Sequence, residues 1–461
     1  MLESTRCATT YLFLALRFCP GRGVCLSTLP EKRATHGPRF CPGCGVCLWQ
    51  AKILEGTAPD IMPLPSEPAM PKVYLDNSST SWPKPPGVIR AVTEYLEDVG
   101  CNLNRTGFAT TCVLNKRTRE ARGRLARLFN YPDPQHVVLT PSITTSLNMV
   151  IKGLFKRGDH VLVSGMEHNA VTRPLFQMRR RGLSFDMIPC FGNGELDPDD
   201  LAPLIRPNTR AVITIHGSNV CGTILPIKQM GRVAREHDLL FIVDSAQTAG
   251  ILQLDMVAQH IDILCFTAHK GLLAAPGVGG LIIPPSLARR IEPLVAGGTG
   301  VLSELDDMPD DLPMRLEAGT PNLMGYYGLC AALRWLARVG TNRIHTREIE
   351  LYTQLLSGLQ SIRGLRIHGT QNPSTSLAVL AITTPGLDIG QVAYRLDRKH
   401  QVITRCGLHC APYANRTIGT WPSGTIRLSP GYFTKKSELT YALSALEESL
   451  YYVHSTMGQS R

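Results

Sequence analysis

No apolar run in this 461-residue sequence approaches the roughly 18 residues that a membrane-spanning helix needs. The best candidate, Tyr11 to Leu16, stops at Arg17. A basic start, a longer apolar stretch and a small-residue cleavage site are missing too, so no secretory signal is read and the expected compartment is the cytoplasm. The densest cationic clusters, Arg179-Arg180-Arg181 and Lys435-Lys436, are short and lack interleaved aromatic residues. They do not form the stacking platforms that hold nucleic acid, so no direct nucleic-acid contact is expected. The net charge of +11 then reads as a solvated surface, biased toward acidic partners or anionic ligands. Fourteen cysteines are present, but past residue 70 they are scattered (Cys101, Cys112, Cys190, Cys221, Cys265, Cys330, Cys406, Cys410). That spacing excludes a disulfide framework and suits reduced thiols. What remains is an ordinary globular composition, 43% hydrophobic and 18% charged, in a chain long enough for two or three domains.

The first seventy residues stand apart. They hold an imperfect repeat, Arg17-Phe-Cys-Pro-Gly-Arg-Gly-Val-Cys-Leu26 and Arg39-Phe-Cys-Pro-Gly-Cys-Gly-Val-Cys-Leu48. Cys41, Cys44 and Cys47 are spaced like part of a metal or iron–sulfur site. A closed site wants four ligands, and the nearest spare thiols are Cys19 and Cys25 in the first copy. Two copies cannot build a repeat fold, so residues 1–70 are expected to be a poorly ordered extension ending in the Pro-rich linker Pro59 to Pro71. Met70-Pro-Lys-Val-Tyr also reads like a natural beginning. No metal is expected in the working site.

From Val73 onward, short runs rich in β-branched residues alternate with amphipathic segments. His136 to Thr140, His160 to Ser164, Ser184 to Pro189, Ala211 to His216, Leu239 to Val243, Ile261 to Phe266 and Gly279 to Ile283 read as strands. Thr145 to Phe155 and Ile227 to Glu236 read as helices between them. This alternation predicts an α/β fold with a mainly parallel seven-stranded sheet, covered on both faces, binding its ligand at the strands' carboxyl ends. After Pro321 a long helical region, Gly325 to Gly340 and on through Leu359, leads to a smaller unit with strands at Leu377 to Thr383, Gln401 to Thr404 and Thr425 to Ser429. The expected division is a large domain at 71–325, whose first residues pack with the other unit, and a smaller α+β domain at 326–461.

Four strand ends supply chemistry. Ala268-His-Lys270 follows the strand ending in Phe266, and a lysine there can form a Schiff base with an aldehyde cofactor. Alone, such a lysine is an ordinary surface charge. Asp244, in Phe241-Ile-Val-Asp-Ser-Ala-Gln247, follows a buried strand, where a carboxylate needs a cationic partner such as a pyridinium nitrogen. Gln247 could donate to the ring's phenolic oxygen, although Asp244 by itself could simply cap the next helix. His168, in Met166-Glu-His-Asn169, can stack on a flat ring and exchange protons. Thr140-Pro-Ser-Ile-Thr144-Thr-Ser opens a helix with hydroxyls and free amides that suit a phosphate. Each signal is weak by itself. Their order along the chain, phosphate helix, His168, Asn219, Asp244 and Lys270, points to a pyridoxal-phosphate site.

With these residues in view, the stretch from about Val73 to Leu450 resembles the class V aminotransferases of fold type I, and within them the cysteine desulfurases. The resemblance is carried by Tyr74 to Asn77, Ser81-Trp-Pro-Lys-Pro-Pro86, Met166 to Asn169, Ser218-Asn-Val220 and Gly297-Gly-Thr-Gly300. Its most specific stretches are Arg405-Cys-Gly-Leu-His-Cys410-Ala-Pro and Gly424-Thr-Ile-Arg427-Leu-Ser-Pro-Gly-Tyr-Phe433. It implies that Lys270 holds the cofactor, that Asp244 faces its ring nitrogen and that His168 lies over the ring. Asn219 and Gln247 would lie near the phenolic oxygen and substrate. Thr144, Thr145, Thr267 and His269 would bind phosphate, with Thr299 reaching the phosphate of a neighbouring subunit in a homodimer. Arg427 would pair with the substrate carboxylate, and Arg405 would lie near the catalytic loop. The chain departs from the family's habit at Leu273-Ala-Ala-Pro276, where a Gly-Pro pair is usual, and at Ser142-Ile143, which bears on phosphate-loop geometry.

The implied chemistry is removal of sulfur from cysteine. The thiolate of Cys410 attacks the substrate sulfur, keeps it as a persulfide, releases alanine and hands the sulfur to an acceptor protein. Ionisation of the thiol is expected to be favoured by His409 or by the cofactor site. Cys406 does not match the motif's nucleophile. A selenocysteine lyase would use the same residues. An aminotransferase would not depend on Cys410, and a sulfur-relay scaffold would not need Lys270, Asp244 and His168 intact.

Overall fold

The computed structural model describes residues 72–103 and 109–458, all within one unit, 68–461. The repeat with Cys41, Cys44 and Cys47 lies outside the described residues. A short strand β1 (Val73–Tyr74) precedes the helices α1 (Val88–Glu94) and α2 (Ala109–Leu128). All seven strands expected in the first part of the chain are present. They are β2 (Val137–Thr140), β3 (His160–Ser164), β4 (Ser184–Ile188), β5 (Thr209–Ile215), β6 (Leu240–Asp244), β7 (Ile263–Thr267) and β8 (Gly279–Ile282). They form one sheet in the order β2-β8-β7-β6-β5-β3-β4. The pairs β4–β3, β3–β5, β5–β6 and β6–β7 are parallel, while β8 runs antiparallel to both neighbours.

Successive side chains of a strand point to opposite faces, and both faces here are covered. Leu162, Val212, Phe241, Val243, Leu264 and Phe266 belong to one apolar core. Val161, Val163, Ala211, Ile213, Ile242, Ile263 and Cys265 belong to the other. Continuous apolar strands are the expected result of two-sided burial. The antiparallel insertion of β8 depends on glycine. A Cβ at Gly280 would come within 2.4 Å of both the Phe266 ring and the Val138 carbonyl.

Helices α3 (Ile143–Leu154), α4 (Asn169–Arg179) and α5 (Ile227–Glu236) follow β2, β4's neighbour β3, and β5. Ile227, Met230, Val233 and Ala234 put the apolar stripe of α5 on the sheet. A one-turn helix α6 (Pro285–Ala288) follows β8, and α7 (Leu323–Val339) then contributes Leu323, Tyr326, Tyr327 and Leu333 to the core shared with α1 and α2. The expected boundary at residue 325 falls inside α7.

Beyond α7 come α8 (Thr341–Ser361), β9 (Arg366–His368), β10 (Leu380–Thr383), α9 (Ile389–His400), β11 (Val402–Ile403), β12 (Arg405–Gly407), α10 (Pro412–Thr417), β13 (Thr425–Leu428) and α11 (Lys436–Gly458). Strands β12-β13-β10-β9 make a second, antiparallel sheet. Its core joins Leu380, Ile382, Ile426 and Leu428 to Leu351 and Leu355 of α8, Leu396 of α9 and Leu446 of α11. Val73 and Leu75 enter the same core, because β1 pairs in parallel with β11. The strand expected at 401–404 is β11, and β12, which directly follows it, was not expected. Shortly after Cys410, Pro412 opens α10, at a position where the absent N–H costs nothing. Among the described residues no helix is long and apolar enough to cross a membrane.

Candidate active site

The carboxyl ends of β3, β5, β6 and β7 converge with the 76–84 segment, β12 and β13. Lys270 sits in the turn after β7, and burial lowers its amine from 10.5 to about 8, with the Asp244 carboxylate opposing the shift. The peptide before it is tethered. The carbonyl of His269 accepts from the Ser81 N–H at 2.9 Å, the Ser81 hydroxyl at 3.1 Å, the Thr80 hydroxyl at 3.2 Å and the Lys84 ammonium at 3.0 Å. Burial also lowers Lys84, to about 8.

Asp244 ends β6, is fully buried, and accepts the Ala246 N–H at 2.8 Å. Burial raises its carboxyl, while that backbone donor and Lys270 favour the anion. Gln247 donates to the Ser78 carbonyl at 3.1 Å. His168 caps α4, its Nδ1 accepting the Ala170 N–H at 3.0 Å, so the neutral ring carries its proton on Nε2. Burial first, then Lys270 and Arg405, push His168 down to about 4. Asn219 donates to the His409 carbonyl at 2.7 Å.

The phosphate-type residues fall around the start of α3 and the end of β7. Ser142 caps α3 by accepting the Thr145 N–H at 3.2 Å, and Thr144 is exposed in its first turn. Thr299 donates to the Val301 carbonyl at 2.7 Å. Thr145 and Thr299 line one cavity of about 1200 Å³ together with Arg122 and Glu317; Lys270 does not line it. Asn219 Oδ1, Thr267 Oγ1 and His269 Nδ1 are buried with no hydrogen-bond partner among the described residues. Buried polar atoms in native folds are satisfied, so these three mark the edge of a missing polar group. They flank Lys270 and Asp244 in the chain, and they fit a flat, phosphorylated aldehyde held between β5, β6 and β7.

Arg427 and Arg405 are direct neighbours across β13 and β12. Arg427 is 1% exposed; its guanidinium donates to Asn219 O at 2.8 Å, Asp76 Oδ1 at 2.5 Å and Ser79 Oγ at 2.8 Å. Burial lowers its pKa and Asp76 opposes that. Its Nε has no partner among the described residues. Arg405 donates to Ser79 Oγ at 3.1 Å and to Cys410 Sγ at 3.4 Å.

Cys410 is exposed in a left-handed turn, with φ +53° at His409 and +58° at Cys410. Side-chain-bearing residues seldom hold that conformation, and consecutive examples cluster at functional turns. The Cys410 carbonyl accepts the Asn169 N–H at 2.8 Å, joining the loop to the residue after His168. The expected role of His409 in ionising the thiol is not supported. Its Nε2 faces Thr425, 2.9 Å from the hydroxyl, and burial pushes it down to about 3. The cation at the thiol is Arg405. Cys406 is exposed on β12, opposite Ile426.

Sequence reasoning missed Asp76, Ser78, Ser79 and Lys84 as parts of this site. Asp76 and Lys84 lie in motifs, Tyr74 to Asn77 and Ser81 to Pro86, visible only as family resemblance without a chemical task, and Ser78 and Ser79 lie between the two.

The aminotransferase class-V family matches residues 73–441. A probable cysteine desulfurase of Methanothermobacter thermautotrophicus is 32% identical over 380 residues, covering 82% of this chain and 94% of the relative. A probable cysteine desulfurase of Pyrococcus abyssi is 30% identical over 384 residues, with 82% and 94% covered. Among solved structures, the apo cysteine desulfurase of Thermococcus onnurineus NA1 superposes with a TM-score of 0.77 at 30% identity, over 82% of this chain and 94% of that one. Cysteine desulfurase CsdA of Escherichia coli, in its S-sulfonic acid form, gives a TM-score of 0.75 at 28% identity, over 83% and 95%. The matched residues span both sheets and the strand ends that form this site, and the chain belongs to the class-V aminotransferase family.

Proposed function

We propose that this protein is a pyridoxal-phosphate-dependent cysteine desulfurase that converts L-cysteine to L-alanine and keeps the sulfur as a persulfide on Cys410. The observation that carries the reading is an exposed thiol in a left-handed turn, bonded to Arg405 and tied through Asn169 to the strand ends around Lys270. An enzyme working only at nitrogen has no use for that thiol. The family is pyridoxal-phosphate dependent, and the cofactor when bound supplies an electron sink at the substrate α-carbon.

The chain's own groups fill the remaining roles. Lys270 would hold the cofactor aldehyde, and its amine, at about 8 and so partly neutral near physiological pH, can accept the substrate's α-proton. Asp244 would pair with the ring nitrogen, and neutral His168 would stack on the ring with Nε2–H available to the reacting atoms. Asn219 and Gln247 would hold the phenolic oxygen, and Thr144, Thr145, Thr267 and His269 the phosphate. Arg427 takes the substrate carboxylate, exchanging part of its bonding to Asp76 and Ser79 for it. Arg405 orients Cys410, whose thiolate attacks the substrate sulfur. An S–S bond forms as the substrate Cβ–S bond breaks. The electron pair of the broken bond stays with the substrate carbon frame, which is protonated and leaves as alanine.

The reading extends to a homodimer in which Thr299 of each copy reaches the other's phosphate, to a cytoplasmic location, and to a sulfur-acceptor protein that discharges Cys410. It divides the chain into a large domain and a smaller one that carries the thiol, with α7, which crosses the expected boundary at 325, in the large domain's core.

Cys410→Ala tests it. The variant should keep the visible cofactor band and its change on adding cysteine, yet lose persulfide and alanine production. Undiminished alanine from cysteine rejects the mechanism, and amino transfer to a keto acid in that variant marks an aminotransferase.

A further inference from the structure

Glu167 stands directly before His168, yet its side chain turns away from the site and is 0% exposed. Its Oε1 accepts from the Ser164 hydroxyl at 2.5 Å and from the Ile215 N–H at 2.8 Å. Ser164 is the last residue of β3 and Ile215 the last of β5. Ile215 is in register with Asp244 on β6. The carboxyl therefore bridges the ends of β3 and β5, beside the strand end that carries Asp244. Its second oxygen, Oε2, is buried and has no hydrogen-bond partner among the described residues.

The groups facing this carboxyl are Ser164 from β3, the Ile215 peptide from β5, the Asp244 carboxylate from β6 and the Cys190 thiol beyond β4. None is a cation. Two carboxylates this close in a dry interior cannot both be ionised cheaply, and the one with a cation nearby keeps its charge. Asp244 has Lys270 as that cation. Glu167 has none, and burial pushes it from 4.5 up to about 8.

We propose that Glu167 is a positioning residue that acts as a neutral, protonated carboxyl. It ties the end of β3 to the end of β5, so fixing the height of His168 beside Asp244, and it leaves Asp244 as the single anion beneath the site. A charged Glu167 would compete with Asp244 for the stabilising field of Lys270. This inference rests on the roles proposed above for Asp244 and His168.

Two measurements on the full chain test it. In the apo protein at neutral pH, an infrared difference spectrum between the wild type and Glu167→Gln should contain a protonated-carboxyl stretch that belongs to the wild type. Its absence overturns the proposal whether or not Lys270 binds a cofactor. In the holoprotein, Glu167→Gln keeps a neutral group and an acceptor at Oε1. The pH midpoint of the Lys270-bound cofactor band should then move by less than about 0.3 units, with kcat within about twofold. Were Glu167 ionised, the substitution would remove a negative charge and lower the midpoint by about one unit, and that result also overturns the proposal. Glu167→Ala should lower kcat about tenfold while KM for cysteine stays within about twofold, because His168 is misplaced and Arg427 is not. Equal kcat in the alanine variant and the wild type refutes the positioning role. A Lys270→Ala protein that still acquired the cofactor band would sink the proposed function and leave the infrared result standing.

Discussion

Asp76→Asn isolates the ion pair of the buried Arg427. Arg427 is 1% exposed and Asp76 is the only carboxylate it contacts among the described residues, with 17% of the Asp76 side chain exposed. Breaking a buried pair by removing one charge costs about 3–5 kcal/mol, because the other charge is left without a counterion. Water reaches Asp76, and Ser79 and the Asn219 carbonyl still bond the guanidinium, so the low end applies, about 3 kcal/mol or more than a hundredfold in the folding equilibrium. Guanidinium denaturation of the apo protein, followed by tryptophan fluorescence, should show a lower midpoint with an unchanged slope. Adding Arg427→Met removes the stranded charge, so the double variant should regain at least half of the loss. A cost below about 1 kcal/mol for Asp76→Asn, or strictly additive effects in the double variant, would show that the pair is solvated and refute the reasoning.

Lys270→Ala should abolish both the visible cofactor band and turnover, and a band that persists in this variant rejects Lys270 as the anchor. Arg405→Ala should slow persulfide formation about tenfold or more, whereas His409→Gln should change it less than about threefold, because only Arg405 reaches Sγ; a single-turnover assay on Cys410 reads both, and the reverse ranking would restore His409. His168 and His269 are held at about 4, and His216 and His409 at about 3, chiefly by burial. Each folded pKa lies below its unfolded value, so their stabilising contribution is complete above about 6.5 and is lost as pH falls through the folded values. Apo-protein stability should therefore drop steeply between pH 6.5 and 4, taking up to about four protons on unfolding, and His216→Asn should flatten that slope by about one. A slope unchanged by the substitution would mean that His216 titrates normally.

The large sheet was legible because two-sided burial writes β2, β3, β5, β6 and β7 as nearly continuous apolar runs, while the partly buried β4 and the glycine-led β8 showed only as short runs between turns. Direction was not. Alternation and apolarity are the same for either sense of a strand, so the antiparallel β8 showed only as the pair Gly279-Gly280, whose meaning is a close approach to Phe266. The three-residue strand β12 was not read, because Arg405-Cys-Gly407 has neither an apolar run nor an alternation to mark it. At the site, the residues closing β3, β5, β6 and β7 could be found by asking what a polar group does at the end of a buried strand. Asp76 could not be found that way. Its partner Arg427 is 351 residues distant, and nothing local distinguishes Asp76 from a turn aspartate. The choice between His409 and Arg405 as neighbour of the thiol was equally hidden, since it depends on the left-handed turn at His409 and Cys410.

The 76–84 segment also sets an order of events during synthesis. Ser81 and Lys84 clasp the carbonyl next to Lys270, while Asp76 and Ser79 wait for Arg427, and Asn77 for the Ser429 carbonyl. At translation rates of roughly 5–20 residues per second, Asp76 leaves the ribosome roughly 20 to 70 s before Arg427 does. The first strand, β1, likewise has no partner before β11 is made. The large sheet can assemble in that interval, since β2 to β8 are contiguous in the chain. The peptide before Lys270 is thus tethered on one side early, and the side that carries Arg427 and Cys410 closes last, from contacts of very large sequence separation. A nascent chain halted before β13 would carry a folded sheet and an unfinished site.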